Sequence, residues 1–336
     1  MLKLRRGVVV AEDPLTVEIG GEARAAWADH GLVGEVREGD EVVVNTEALD
    51  LGLGSGGFDV VHVNLTRGLE GGGGAGAHVM KLNYTSLQHP VEPVEGADED
   101  LESSATSEMP VLVIPLHGHL APAAWAAAQA ADGLRVGYVQ TAGGALPGSM
   151  SRDVATLRER GLLCDHITAA PAYGGEREAI SVVGALDAAA GLGWGAVIAG
   201  PGPGMLGSET RYGHGGMAAL DTAHAALALG MPTLLSPRLS EADSRSRHRG
   251  VSHHTGAVLE LLLGQVEVPV PEGEATAALE ALVAKRHRLR SHPSDLEGYA
   301  ESGLPARVMG RGLDDDPLFF AAALAAGAAL GAAAPG

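Results

Sequence analysis

The sequence predicts an α/β fold: a mainly parallel open sheet with helices on both faces, preceded by a small N-terminal all-β, barrel-like domain. Three observations carry that reading. Five apolar, β-branched runs between residues 111 and 236 each end in a loop of glycine, histidine, arginine or hydroxyl residues. From Met109 onward these runs alternate with helix-compatible segments about every thirty residues, the size of a βαβ unit. Before residue 95 the runs are shorter, several alternate in polarity, and turn residues rather than helical segments separate them.

In the first domain, residues 8–10, 16–19, 41–44, 58–63 and 78–84 read as strands, with turn signals at 38–40, 51–57 and 71–76. A barrel or sandwich of five to seven strands over residues 1–95 follows. Residues 96–108 are acidic, serine-rich and poor in apolar side chains, the composition of a solvated linker. Residues 109–336 then form the α/β domain, with a helical extension at its C-terminus.

The strands of that domain fall at 111–116, leading into His117 and His119; at 134–139, leading into Thr141 and two glycines; and at 166–168, leading into 173–176. Two more run at 196–198, before Gly200-Pro-Gly-Pro-Gly204, and at 233–236, before a basic loop that ends at Thr255. Parallel strands joined by helical crossovers bring all these loops to one edge, where such folds bind ligands. Helices are expected at 121–131, 149–160, 176–190, 216–229, 252–263 and 274–287. Residues 266–270 read as an edge strand, because Pro269 is poorly tolerated in a central one. The last helix, 317–330, has Asp316 as N-cap and Pro317 in its first position. It is apolar on every face and so is expected to be buried against the domain or a second subunit, which points to a homo-oligomer.

A formal charge of −19 excludes nucleic acid and anionic membrane as partners, since both require a basic face. The one cysteine, Cys164, excludes an intrachain disulfide framework and any cysteine-cluster metal site, and reads as inert core. The longest uncharged stretch, 110–131, holds three prolines, two histidines and a glutamine, so it is strand, loop and helix rather than a membrane span. No targeting pattern opens the chain, and a cytoplasmic location is expected.

The densest chemical signal lies at 238–255. Arg238, Arg245, Arg247, Arg249, His248, His253 and His254 stand there against only Glu241 and Asp243. Ser252 is placed to cap a helix whose first amides, with Arg247 and Arg249, would grip a phosphate or carboxylate. The competing structural explanation is that these arginines pair with the chain's own acids. His253 and His254 project about 100° apart on a helix, unlike an i, i+4 zinc pair. A set built from His117, His119, one of that pair and Asp243 or Glu176 has no specific ligand spacing, so no metal is assigned. Gly52-Leu-Gly-Ser-Gly-Gly57 has a dinucleotide-like spacing but precedes a strand and reads as a turn. Gly202-Pro-Gly204-Met-Leu-Gly207 is better placed, after a strand and before a helix, and reads as an oxyanion or phosphate loop. Neither a Gly-Lys-Ser/Thr phosphate loop nor a Gly-x-Ser-x-Gly elbow is present. The mixed-charge run 307–316 reads as a salt-bridged connection.

Taken with the segments 45–57, 78–88, Leu116-His117, Gly202-Pro-Gly204, 247–255 and Met309-Gly-Arg-Gly312, the chain resembles an uncharacterised bacterial family, domain of unknown function 3866. It departs from that family's pattern at His119, at Glu209 and near His214. The resemblance implies one architectural unit of bacterial, cytoplasmic origin and implies no reaction. The function expected from the residues is an enzyme acting on a small anionic metabolite, phosphorylated or nucleotide-like. Arg247, Arg249, Ser252 and Thr255 would bind that anion with Gly202, Gly204 and Gly207, and His117, His253 or His254 would move protons. No cofactor is assigned. The alternative is a non-catalytic metabolite sensor or scaffold with the same pocket.

Overall fold

The computed structural model of the chain describes residues 1–53, 56–71, 76–96, 108–273, 277–284 and 286–335. Two compact units emerge, Met1–Glu92 and Pro93–Gly336. Most of the expected acidic linker, and part of the glycine turns at 51–57 and 71–76, lie outside the described residues.

The first unit is a closed barrel of β1 (Leu4–Glu12), β2 (Leu15–Ile19), β3 (Glu22–Trp27), β4 (Glu41–Asn45) and β5 (Asp59–Asn64), in the order β1-β2-β3-β5-β4. Val9, Val17, Val42, Val44 and Val61 fill its interior. The strand β3 was not foreseen: Glu-Ala-Arg-Ala-Ala-Trp has little β preference, and closure of the barrel on β5 supplies what propensity does not. The run at 78–84 forms only Val79–Lys81 of a short hairpin with His89–Val91, outside the barrel.

The second unit is built on eight strands, all parallel: β6 (Val111–Val113), β7 (Val136–Thr141), β8 (His166–Ala169), β9 (Arg177–Ala179), β10 (Ala196–Pro201), β11 (Thr233–Leu235), β12 (Glu267–Pro271) and β13 (Arg288–His292). Their spatial order is β9-β8-β7-β10-β6-β11-β12-β13. Side chains alternate across it: Val111 and Val113 enter one core, Leu112 and Ile114 the other. The first core lies under α3 (Val182–Gly191), α4 (Ala218–Ala228), α5 (His253–Leu261) and α6 (Ala277–Val283). The second lies under α1 (Leu120–Ala130), α2 (Arg152–Glu159), α7 (Leu296–Glu301) and α8 (Pro317–Ala333).

Three expectations need correction. The segment 266–270 is a strand, but β13 covers it, so Pro269 is not on the sheet edge; pairing with β11 stops at Glu267, and the proline interrupts no ladder there. The helix expected at 176–190 starts later, because Arg177–Ala179 extend the sheet beside β8 before Ser181 caps α3. Of the helix expected at 274–287, Ala277–Val283 is helical as α6 and residues 286–287 lead instead into β13; residues 274–276 and 285 lie outside the described residues.

The apolar helix α8 is buried by its own unit. Nearly every residue from Leu318 to Gly331 is enclosed, and the helix crosses α1 with two glycines at the contact. A Cβ on Gly327 would stand 2.1 Å from the carbonyl oxygen of Ala123, and one on Gly331 would stand 2.7 Å from that of Ala127. The apolar faces of α8 therefore need no second subunit to cover them, and this argument for an oligomer falls away. Asp316 is the N-cap by position, but its carboxylate accepts from Ser240 Oγ at 2.6 Å and from the Glu241 amide at 3.1 Å rather than from the helix.

Replacing Gly327 by Ala gains about 1 kcal/mol of helix propensity, whereas forcing a methyl group against a backbone carbonyl costs about 1–3 kcal/mol or more. Gly327→Ala is therefore expected to lower the urea midpoint; a raised midpoint would contradict the α1–α8 contact.

Candidate functional site

The chain leaves β6 toward β7 on one side and leaves β10 toward β11 on the other, although β6 and β10 are neighbours. Their following helices, α1 and α4, lie on opposite faces, so a crevice opens at the carboxyl ends of these two strands. A cavity of about 450 Å³ occupies it. Its walls are Leu116–Gly118 after β6, 202–208 after β10, and Arg238, Arg245, Arg247 and His248 from the loop after β11; His254, Asp153 and 307–309 complete it. The loops expected on one edge do share that edge.

Gly202, Gly204 and Gly207 all line the cavity. At Gly202 a side chain is excluded, because a Cβ would meet the Ala145 carbonyl oxygen at 2.4 Å. The Gly202 loop is thus pressed onto the loop after β7.

The basic loop is folded around Asp243, which is fully buried. Its carboxylate accepts from Arg238 Nη2 at 3.0 Å and from Arg245 through both Nε and Nη2 at 2.9 Å, and Arg311 Nη2 lies at 3.5 Å. Burial opposes ionisation, yet the arginines and the Arg245 amide hold this carboxyl well below the usual range. Arg238, itself 1% exposed, is pulled down to about 10 by burial and remains charged at neutral pH. Arg311 also donates to Asp316 at 3.0 Å, which ties the start of α8 to this loop. Arg247 stands apart: it reaches only the exposed Glu209, at 3.5 Å, and its buried Nε has no partner among the described residues.

Arg249 is exposed, contacts the Asp243 carbonyl oxygen at 3.4 Å, and does not line the cavity. Ser252 caps α5 as expected, but its Oγ accepts the His254 amide at 3.2 Å and lies 2.7 Å from His248 Nδ1, so it serves the loop's interior. Thr255 Oγ1 likewise accepts the Arg238 amide at 2.9 Å. Arg238, Arg245 and Arg307 occupy the positions on the wall that sequence reasoning gave to Arg249, Ser252 and Thr255. Residues 307–309 were read as a connection only; nothing in their composition marks them as cavity wall.

His117 lines the cavity with both ring nitrogens engaged. Nδ1 faces the Pro201 carbonyl oxygen at 3.3 Å and so carries the proton, and Nε2 lies 2.7 Å from Ser151 Oγ. Ser151 caps α2 by accepting the Val154 amide, leaving its own proton for His117. Asp153 reaches His117 Nε2 at 4.0 Å, and burial raises its pKa. His119 is not in the cavity; it packs edge-on against Phe319 at 4.7 Å with Nδ1 on Ser236 Oγ at 2.8 Å. The metal set weighed from sequence is therefore not assembled: Asp243 is taken by arginines, and Glu176 pairs with Arg158. His253 and His254 instead meet His214 and His248, and His214 was not among the sequence candidates. The His214 and His254 rings stack at 3.5 Å, and those of His253 and His254 lie 4.4 Å apart.

Fold and site together define a barrel joined to a parallel α/β unit, with an arginine-lined cavity at the topological switch point. A family model described as Protein of unknown function (DUF3866) matches residues 25–327, and the chain belongs to that family. No curated protein and no solved structure matches it.

Burial pushes His117 down to about 4 and His119 and His166 to about 3. Their folded pKa values lie below the unfolded value of about 6.5, so the stability they contribute is present above that pH and is lost as pH falls. Each adds a slope of up to about 1.4 kcal/mol per pH unit below the unfolded value. Urea unfolding is expected to show stability dropping between pH 7 and 5, above the carboxylate range. A flat profile there would contradict three buried neutral histidines.

Proposed function

We propose that the protein is an enzyme acting on a small anionic metabolite, phosphorylated or nucleotide-like, bound in the cavity at the carboxyl ends of β6, β10 and β11. One observation carries the reading. Four arginines, Arg238, Arg245, Arg247 and Arg307, line the cavity, against one carboxylate among its described lining residues, Asp153. This excess stands in a chain of net charge −19. Arg238 and Arg245 are already engaged by Asp243, so the arginines left to close on a ligand are Arg247, held by the exposed Glu209 at 3.5 Å, and Arg307, which donates to the Gly310 carbonyl oxygen. The glycines at 202, 204 and 207 let a phosphoryl group approach the backbone. Asp153, with its raised pKa, and His117, 4.0 Å away and bonded to Ser151 through Nε2, are the candidate groups for proton transfer on the same wall.

The alternative is a metabolite sensor, favoured by one detail: both His117 nitrogens are engaged within the fold. A cytoplasmic protein without nucleic-acid or membrane partners is still expected; the homo-oligomer expected from the apolar last helix is not, because that helix is buried within its own unit. No described helix is long and apolar enough to cross a membrane.

Inorganic phosphate is expected to raise the melting temperature by an amount set by its concentration relative to its dissociation constant. Arg247→Ala should abolish most of that shift with little change in the unliganded protein, and Arg249→Ala should leave it intact. An undiminished shift in Arg247→Ala would overturn the assignment. Mass spectrometry of what co-purifies would then give the substrate, and conversion of that compound by the wild type but not by Asp153→Asn separates enzyme from sensor.

A further inference from the structure

We propose that His214, His253 and His254 form a binding site for a divalent transition-metal ion of zinc's class. One candidate ligand atom from each lies within 4.8 Å of the others. The three come from two places. His214 ends the loop after β10, and His253 and His254 open α5 directly after its cap, Ser252. Adjacent residues on a helix diverge, which is why the pair alone suggested no site. The third imidazole, arriving from another loop and stacking on His254, is what makes the set converge.

The state of the nitrogens is the second observation. His214 Nδ1, His254 Nδ1 and His253 Nε2 are buried and find no hydrogen-bond partner among the described residues. His214 and His254 are themselves only 6% and 5% exposed. Unsatisfied buried nitrogens are costly, so three in one cluster call for an explanation. For His214 the tautomer follows from its neighbour. Nε2 faces the Arg211 carbonyl oxygen at 3.1 Å, and a carbonyl only accepts, so Nε2 carries the proton and Nδ1 presents a bare lone pair. A backbone carbonyl holding one ring nitrogen while the other is left to a metal is the usual outer-shell arrangement of ligating histidines.

Gly216 is the third. A Cβ there would stand 3.1 Å from His214 Nδ1 and 3.3 Å from His254 Nδ1, so both nitrogens border one space that any side chain would fill. Its backbone does not require glycine, since its φ is not in the left-handed region. The absent side chain is explained by the space it leaves.

Donor chemistry selects the ion. Imidazole nitrogens suit zinc, cobalt, nickel or copper, whereas magnesium and calcium take oxygen ligands. Zinc–nitrogen bonds of about 2.0–2.1 Å require the nitrogens to stand about 3.4 Å apart, so loading draws the set inward by about 1 Å and splays the stacked pair. Three neutral histidines leave one coordination position for water or an anion. His254 also lines the arginine-walled cavity, so an anion in that position would offset the positive charge gathered there.

The test uses the full chain, stripped with a chelator, and the metal alone, so its outcome is independent of whether the cavity binds phosphate. Cobalt(II) is expected to bind one ion per chain with the visible absorption of a four-coordinate site, and zinc should displace it. In the wild type, zinc should shift the ring-nitrogen resonances of three histidines. Gly216→Val, which removes no ligand, and His214→Ala should each weaken binding by about two orders of magnitude or more, while His30→Ala in the barrel should leave it unchanged. Absence of stoichiometric binding to the wild type overturns the proposal, as does full affinity in a folded Gly216→Val or His214→Ala variant.

Discussion

The carboxylate of Asp243 is the contact on which the site depends. A single fully buried charge holds Arg238 and Arg245 directly and Arg311 at slightly longer range, and Arg311 passes the connection on to Asp316 at the head of α8. An uncompensated buried charge is costly, and removing one partner from such a group typically costs about 3–5 kcal/mol. The loop after β11 therefore cannot lift from the sheet edge without exposing several charges at once or stranding them. Three guanidinium groups around the Asp243 and Asp316 carboxylates still leave one positive charge in excess. The arrangement that orders the loop is the one that makes the cavity wall cationic.

That local excess matters because the rest of the chain is strongly acidic. Fields from distant surface charges are damped over roughly 8–10 Å at moderate salt, whereas an arginine in contact with a ligand acts without such screening. The cavity wall can thus differ in sign from the protein as a whole. Its position at the switch point, with α1 and α4 turning to opposite faces, keeps the crevice open, and the Gly202 loop is held down by contact with the backbone at Ala145.

Much of this was legible in the sequence. Apolar runs followed by glycine and histidine loops announced a parallel sheet with those loops on one edge, and the −19 charge made the cluster at 238–255 conspicuous. What stayed hidden depends on tertiary context. The β3 segment is alanine-rich and takes strand form because the barrel closes on it; Arg177–Ala179 is too short to separate from the helix that follows. Pro269 was read by its missing amide alone, without the short neighbour that makes the loss harmless. Among the arginines, spacing could not tell Arg249, which does not line the cavity, from Arg238 and Arg245, which Asp243 gathers. His214 lies some forty residues before His253 and has no local pattern linking the two. Only the fold brings them together.

The central claim is that Asp243 fixes the basic loop to the sheet edge. Hydrogen exchange of Asp243→Asn, compared with the wild type, tests it most directly, because the central strands report global stability in the same experiment. The account predicts that amides of residues 238–251 lose protection well beyond any loss in β6 and β10. Unchanged protection in that loop, with the substitution accommodated, would contradict it.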